Sequence, residues 1–294
     1  MQAPRMRRDW LHAALLLAPA LVLLIGFTHW PAIQTVIDSF WSTPRGRRPS
    51  VFVGTANYER LMADPTFRRV MWNNTIYAGL TIPASIALAL AMAIFVQGRI
   101  MGRGFLRLAY FTPTVLPLIA VANIWVFFFL PGFGMFEQLR QWIGLSPRNW
   151  LGDPATALYG VTIVTIWAQA GFFMIFYLAA LQTIPTSLRE AAAIEGCPRF
   201  TFFRRVTWPL LMPTTLFLSV NATINAFRTV DHLFVMTQGG PNHASNLLLY
   251  YIYETGFSFW DTAYAATLTV VMVVILVIVG LGQFFLMDRR VHYK

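Results

Sequence analysis

The 294-residue chain has one cysteine and one lysine, and only 12% of its residues are charged. Each shortage excludes something. Cys197 alone can close no internal disulfide. The five histidines, His12, His29, His232, His243 and His292, are dispersed, so no Cys/His set stands at ligand spacing and no structural metal is expected. A Gly-Lys-Ser/Thr loop that cradles nucleotide phosphates needs a lysine, and the only one is the last residue, Lys294, so no ATPase motor is expected in this chain. Acids do not recur in pairs within any apolar segment, which removes the usual constellation for acid-base catalysis. The charged share is half the roughly 25% of a soluble domain, so most of the surface cannot face water.

What is present is apolar. Hydrophobic residues make up 57% of the chain. The net charge of +10 comes from arginines scattered singly or in twos and threes between apolar runs. They form no basic face, so lipid is the expected partner and nucleic acid is not. A bilayer core of roughly 30 Å takes about 20 residues of helix to cross. Six stretches qualify, at about 10–30, 74–96, 108–130, 157–184, 208–230 and 262–287. The first continues as apolar sequence past Trp30-Pro31 to Trp41 with only Asp38 charged, so it reads as an anchor rather than a cleaved leader. The fold class expected is all-α, a polytopic membrane protein forming a single transmembrane domain over 1–294.

Orientation follows from arginine and lysine in short loops. With the N-terminus inside, Arg5, Arg7, Arg8, Arg99, Arg103, Arg107, Arg189, Arg199, Arg204, Arg205, Arg289, Arg290 and Lys294 are cytoplasmic. The first outer loop opposes this with Arg45, Arg47, Arg48, Arg60, Arg68 and Arg69, while the later outer loops carry only Arg140 and Arg148. The balance places both termini, and the polar segment 185–209, in the cytoplasm.

That segment contains EAAAIEGCPRFTFFRRVTWP between two greasy stretches. Ser187-Leu188-Arg189-Glu190 has capping-box spacing and is expected to start a helix. Leu188, Ala191, Ala192 and Glu195 then share one face, and Gly196 with Pro198 stops the helix after about two turns. Pro198 can open a second short helix that runs through Phe202 and Val206 to Pro209. By residues alone this is either an ordinary polar loop or a docking segment on which another backbone can lie close to the paired alanines.

A route for a solute is sought among polar side chains inside spans, because these are costly against lipid. The fifth span is the polar one. Asn221, Asn225, Arg228 and His232 fall on one helical stripe, with Asp231 three residues after Arg228. The amides could bind hydroxyls and Arg228 an anionic group. Alternatively Arg228 pairs with Asp231, and the asparagines link neighbouring helices. Gln169, Tyr177 and Asn123 are further candidates in the fourth and third spans. A secondary transporter of a small polar solute is the other class weighed, and it lacks the matched broken repeats and intramembrane acids it would need.

Glu190-Ala191-Ala192, three residues, Gly196, nine residues and Val206-Thr207-Trp208-Pro209 resemble the EAA signature of permease subunits of bacterial ABC importers. Valine and tryptophan replace the usual isoleucine and leucine. HWPAIQTVIDSF, FVGTANYERL, PTVLPLIAVANIW and NAFRTVDHLFVMTQGGP extend the resemblance to the maltose-type carbohydrate branch, which includes the first permease of sn-glycerol-3-phosphate uptake. The resemblance implies one of two related permeases of an importer in the bacterial inner membrane. Two copies of an ABC ATPase would bind ATP and Mg, and an extracytoplasmic solute-binding protein would deliver the cargo. It also implies that Glu190, Ala191, Ala192 and Gly196 form a coupling helix that inserts into the ATPase, with Glu190 pairing to a basic residue there.

Overall fold

The computed structural model describes residues 3–98 and 101–288, with side chains described over 12–98 and 101–285. Arg99, Arg289, Arg290, Lys294 and His292 therefore lie outside the described residues, as do the side chains of Arg5, Arg7 and Arg8. Among the described residues there is helix and no strand. The helices are α1 (Ala3–Leu24), α2 (Trp30–Asp38), α3 (Ala56–Ala63), α4 (Pro65–Gln97), α5 (Arg103–Val115), α6 (Leu118–Phe129), α7 (Met135–Trp142), α8 (Ala157–Thr183), α9 (Thr186–Ile194), α10 (Arg199–Phe202), α11 (Trp208–Arg228), α12 (Asp231–Met236), α13 (Leu248–Tyr253) and α14 (Thr262–Asp288).

The six expected spans map onto these helices with one correction. Five are continuous, but the stretch expected at 108–130 is two helices, α5 and α6, bent by 103°. Pro117 is the reason. Its ring forces the preceding residue out of the helical region, and Leu116 is extended at φ −79°, ψ 138°. Pro113 and Pro213, by contrast, sit inside α5 and α11 without breaking them. The second span also starts earlier than the apolar run suggests. Asp64 caps α4 by accepting a hydrogen bond from Thr66 N at 2.8 Å, with Pro65 in the first turn, so polar residues 65–73 join the helix.

The chain forms two compact units, one from the segment ending at Ala63 together with Ile252–Val271, the other from Asp64–Tyr251 and the segment from Met272 onward. In the first, the anchor stretch His12–Asp38 buries none of its most apolar window within the chain, so that surface is left for lipid or other subunits. Order begins at Ser39, whose hydroxyl meets Tyr58 Oη at 2.8 Å, while Asn57 Nδ2 donates to the Ser39 and Trp41 carbonyls at 2.9 Å each. Asp261 precedes the first turn of α14 and accepts from Thr43 Oγ1 at 2.5 Å and Arg60 Nη1 at 2.6 Å. Arg60 also lies 4.0 Å over the Tyr264 ring. Burial raises the Asp261 carboxyl pKa, but the hydrogen bonds from Thr43 and Arg60 and the arginine's charge outweigh it, leaving the group below the usual aspartate value.

In the second unit α4, α8 and α11 pack together. Ala89, Leu90 and Ala93 of α4 meet Phe173, Met174, Tyr177, Leu178 and Leu181 of α8, and Leu211, Leu218 and Ala222 of α11. Lipid tails are as apolar as these side chains, so close contact and internal hydrogen bonds, rather than exclusion from water, hold such helices together. Two buried bonds link the helices: Tyr77 to Thr165 at 2.6 Å and Tyr177 to Thr215 at 2.9 Å. Gln283 of α14 donates to Thr223 of α11 at 2.7 Å.

Candidate functional site

Two places in the second unit carry the residues singled out from the sequence. The first is α9. It begins at Thr186 with Pro185 as its N-cap and no side-chain cap hydrogen bond, so the capping box expected at Ser187 and Glu190 does not form. Ile184 is extended before the proline, and this sets the helix entry two residues before Ser187. Ser187 is therefore already helical and cannot take the extended cap conformation. The C-terminal stop is as the sequence indicates. Gly196 takes φ +63°, Gly196 N donates to Ala193 O at 3.2 Å and Cys197 N to Ala192 O at 2.8 Å, a Schellman closure.

No residue of α9 is buried, and Glu190 and Ala191 are exposed with Ala192 half-covered. Leu188 is 41% and Ile194 89% exposed, so the helix presents apolar side chains beside a carboxylate and two alanines. A wide turn over Phe203–Thr207 then joins α10 to α11 without a gap. Trp208, at the motif's leucine position, and Phe203 pack against the α4–α8–α11 core with ring centroids 6.4 Å apart. The segment that follows α9 is thus rooted in the α4–α8–α11 bundle.

The second place is a cavity of about 240 Å³ at the α5–α6 break. Pro113, Thr114, Leu116 and Leu118 supply the broken side, Thr165, Ala168, Gln169 and Phe172 the α8 side, and Asn225 and Thr229 the end of α11. Irregular backbone at membrane depth is tolerable where it lines a cavity, which is where this break lies. Thr114 Oγ1 and Gln169 Oε1 are buried with no hydrogen-bond partner, and Asn225 Nδ2 donates to Asn221 Oδ1 at 3.1 Å. The lining therefore combines hydroxyl and amide groups with apolar walls, a surface suited to a polyol.

The cavity brings together Gln169 and Asn225, with Asn221 behind Asn225. Arg228 and Asp231 are exposed, do not line it, and among the described residues no ion pair joins them. His232 leaves the stripe. The helix ends at Arg228, Thr229 is extended at φ −95°, ψ 110°, and His232 turns inward to meet Thr165 Oγ1 at 2.9 Å while fully buried. Asn123 donates to its own helix at Ile119 O, and Tyr177 is held by Thr215, so neither reaches the cavity.

Thr114 and Thr165 line the cavity and Gly171 stands next to Thr114, and sequence reading missed all three. A Cβ at Gly171 would run into the Tyr110 carbonyl and approach Thr114 Oγ1 at 3.4 Å, so this glycine sets how closely α8 crosses α5 beside the cavity. Nothing in the hydropathy pattern marks it. Among the described residues no group of three or more His, Cys, Asp and Glu could hold a metal.

The family described as binding-protein-dependent transport system inner membrane component matches residues 75–293. The sulfoquinovosyl glycerol transport system permease protein SmoG of Agrobacterium fabrum is 33% identical over 92% of this chain and 90% of its own length. The sn-glycerol-3-phosphate transport system permease protein UgpA of the same organism is 32% identical over 95% of both chains. A chain in the crystal structure of a bacterial ABC transporter involved in import of the acidic polysaccharide alginate superposes with TM-score 0.81 at 24% identity, covering 97% of this chain and 98% of that one. A chain of the alginate transporter in complex with its pentasaccharide-bound periplasmic protein gives 0.82 at 23%, over 97% and 96%. At those identities the two structures speak to the fold alone.

Proposed function

This chain belongs to the inner membrane components of binding-protein-dependent transport systems, and from that premise we propose that the cavity at the α5–α6 break is its part of the path for a carbohydrate or glycerophosphate-type solute. The observation that carries the reading is the meeting of Gln169, Asn225 and Thr114, from three different helices, around one polar cavity in an apolar bundle. Two of its polar atoms are buried and unpartnered, and a solute hydroxyl would satisfy them. Asn221 orients Asn225. Arg228 is the cation that an anionic cargo would meet, with Asp231 nearby as a separate charge. The names of the relatives, which include transport systems for sulfoquinovosyl glycerol and sn-glycerol-3-phosphate, support this solute class.

The chain moves the solute and leaves it chemically unchanged. A second related permease completes the pore, two copies of an ABC ATPase bind ATP and Mg, and an extracytoplasmic binding protein delivers the solute. The exposed α9 fits a cleft on the ATPase, with Glu190 as the charge that anchors it, Ala191 and Ala192 as the close-contact face, and Gly196 as the stop. Both termini and α9 are then cytoplasmic. Because α9 is tied through Phe203 and Trp208 to the bundle core, closure of the ATPase pair would move the spans as rigid bodies and change access to the cavity. A secondary transporter would share a polar path but would need no ATPase.

Affinity purification of this chain from its native membrane tests the reading. The expected result is a co-purifying ATPase, lost in Glu190→Lys while the permease still inserts. A permease that transports after purification without any nucleotide-hydrolysing partner would overturn it.

A further inference from the structure

A second cavity lies in the groove between α5 and α8, about 460 Å³ in volume and separate from the solute path. Its walls are Leu108 and Phe111 of α5 with Ile175 and Leu178 of α8, and its polar groups are Arg107 and Gln182. The Arg107 Nε is buried and has no hydrogen-bond partner. The Arg107 side chain as a whole is half-buried, and leaving its one buried N–H without an acceptor beside apolar walls costs free energy that an anion in the groove would recover. The same groove is open on its outer side, where Leu108 is 62% and Ile175 41% exposed, so what enters must also cover hydrocarbon.

The position narrows the ligand. Arg107 lies in the second turn of α5, and Gln182 lies in the last turn of α8, four residues before α9 begins. These are the ends of two spans at the same membrane edge, where a phosphate headgroup sits above acyl chain. A soluble anion would leave the apolar walls bare, and a neutral lipid would leave the guanidinium unmatched. We propose that the Arg107 groove binds an anionic phospholipid, its phosphate on Arg107 and Gln182 and an acyl chain along Phe111, Ile175 and Leu178. Basic pockets between membrane helices are apt sites for such headgroups. The lipid would stand at the root of α9, so anionic lipid would support the coupling of ATP hydrolysis to movement of the spans.

Native mass spectrometry of the purified importer complex tests this independently of the solute and of coupling, because it reads bound lipid directly. The delipidated complex is titrated with phosphatidylglycerol and, separately, with phosphatidylcholine. One phosphatidylglycerol is expected to be retained in preference, and Arg107→Gln should weaken that binding about tenfold or more, the effect of losing one charge-assisted hydrogen bond, with phosphatidylcholine unchanged. Ile175→Trp, which fills the groove and keeps the cation, should exclude the lipid as well. Equal retention of phosphatidylglycerol by the wild type and both variants would refute the site. Displacement of the lipid by inorganic phosphate would assign it to a soluble anion and overturn the proposal. A photoreactive side chain at Leu108 that crosslinks to the second permease rather than to lipid would do the same, by showing that protein covers the groove.

Discussion

Alanine at Gly171 should force α5 and α8 apart. The added methyl would stand against the Tyr110 carbonyl oxygen, a backbone atom that cannot rotate away, and against Thr114 Oγ1 at 3.4 Å. Relief therefore requires a shift of one helix rather than of a side chain. Overpacking of this kind costs about 1–3 kcal/mol. A control on the same scale is Gly79→Ala in α4, where an added Cβ meets nothing within 4 Å. There the substitution should gain up to about 1 kcal/mol from helix propensity. Both glycines are helical, so that gain is common to the two changes, and they should differ by the overpacking cost alone, roughly 1–3 kcal/mol. Thermal inactivation of the solubilised permease, followed by loss of its monodisperse peak, reads the difference, with Gly171→Ala expected below the wild type and Gly79→Ala at or above it. Because Thr114 lies beside the same contact, Gly171→Ala should also lower uptake at temperatures where the protein is still folded. Equal thermal profiles for the two variants would show that α5 and α8 do not cross closely at Gly171 and that this glycine does not shape the cavity.

Other expectations follow from individual groups. Asn225→Leu and Gln169→Leu should each raise the solute concentration for half-maximal uptake by about tenfold, the loss of one buried polar partner at about 1–3 kcal/mol; unchanged uptake kinetics in both would mean that the cavity is packing. Arg228→Gln should reduce uptake of an anionic solute more than of a neutral one, and Asp231→Asn should not restore it, because the two charges are not paired; competition assays with matched neutral and anionic sugars decide this. In a Cys197→Ser background, a cysteine at Ile194, 89% exposed, should resist an impermeant thiol reagent in intact cells while one at Trp142, 91% exposed, reacts; the reverse pattern would invert the orientation. Asp261 has a depressed pKa, so the stability it contributes is present above the unfolded-state value near about 3.9 and is lost as pH falls through its lower folded value. Asp261→Asn should therefore flatten the acid end of a stability profile measured by tryptophan fluorescence.

Much of the architecture was legible because burial in lipid writes itself into runs of residues. A span of about 20 apolar residues is a one-dimensional fact, and α8 and α14 fall within a residue of their expected bounds. The α9 stop was legible for a different reason, since the left-handed turn at Gly196 depends on that residue and its neighbours alone. The capping box failed because Pro185, two residues before the motif, controls how the helix starts. The stripe in the fifth span was half right: periodicity holds for Asn221 and Asn225, but it cannot foresee that the helix ends at Arg228 and sends His232 into the interior.

Composition and spacing by themselves determined a membrane-spanning helical chain, the position of the short helix that stops at Gly196 and the most polar span. Which faces meet was decided only by the tertiary structure. Beyond the polar start of α4, neither it nor α8 carries a charged side chain, so no charged face tells which side of one packs on the other, and the choice falls to side-chain shape, to Tyr77 reaching Thr165, and to the missing side chain at Gly171. The cavity arises where Pro117 bends a span and so carries Thr114 against Gln169 and Asn225, residues far apart in sequence. Local backbone chemistry can mark that bend, but only the packing of three helices can place a polar cavity in it.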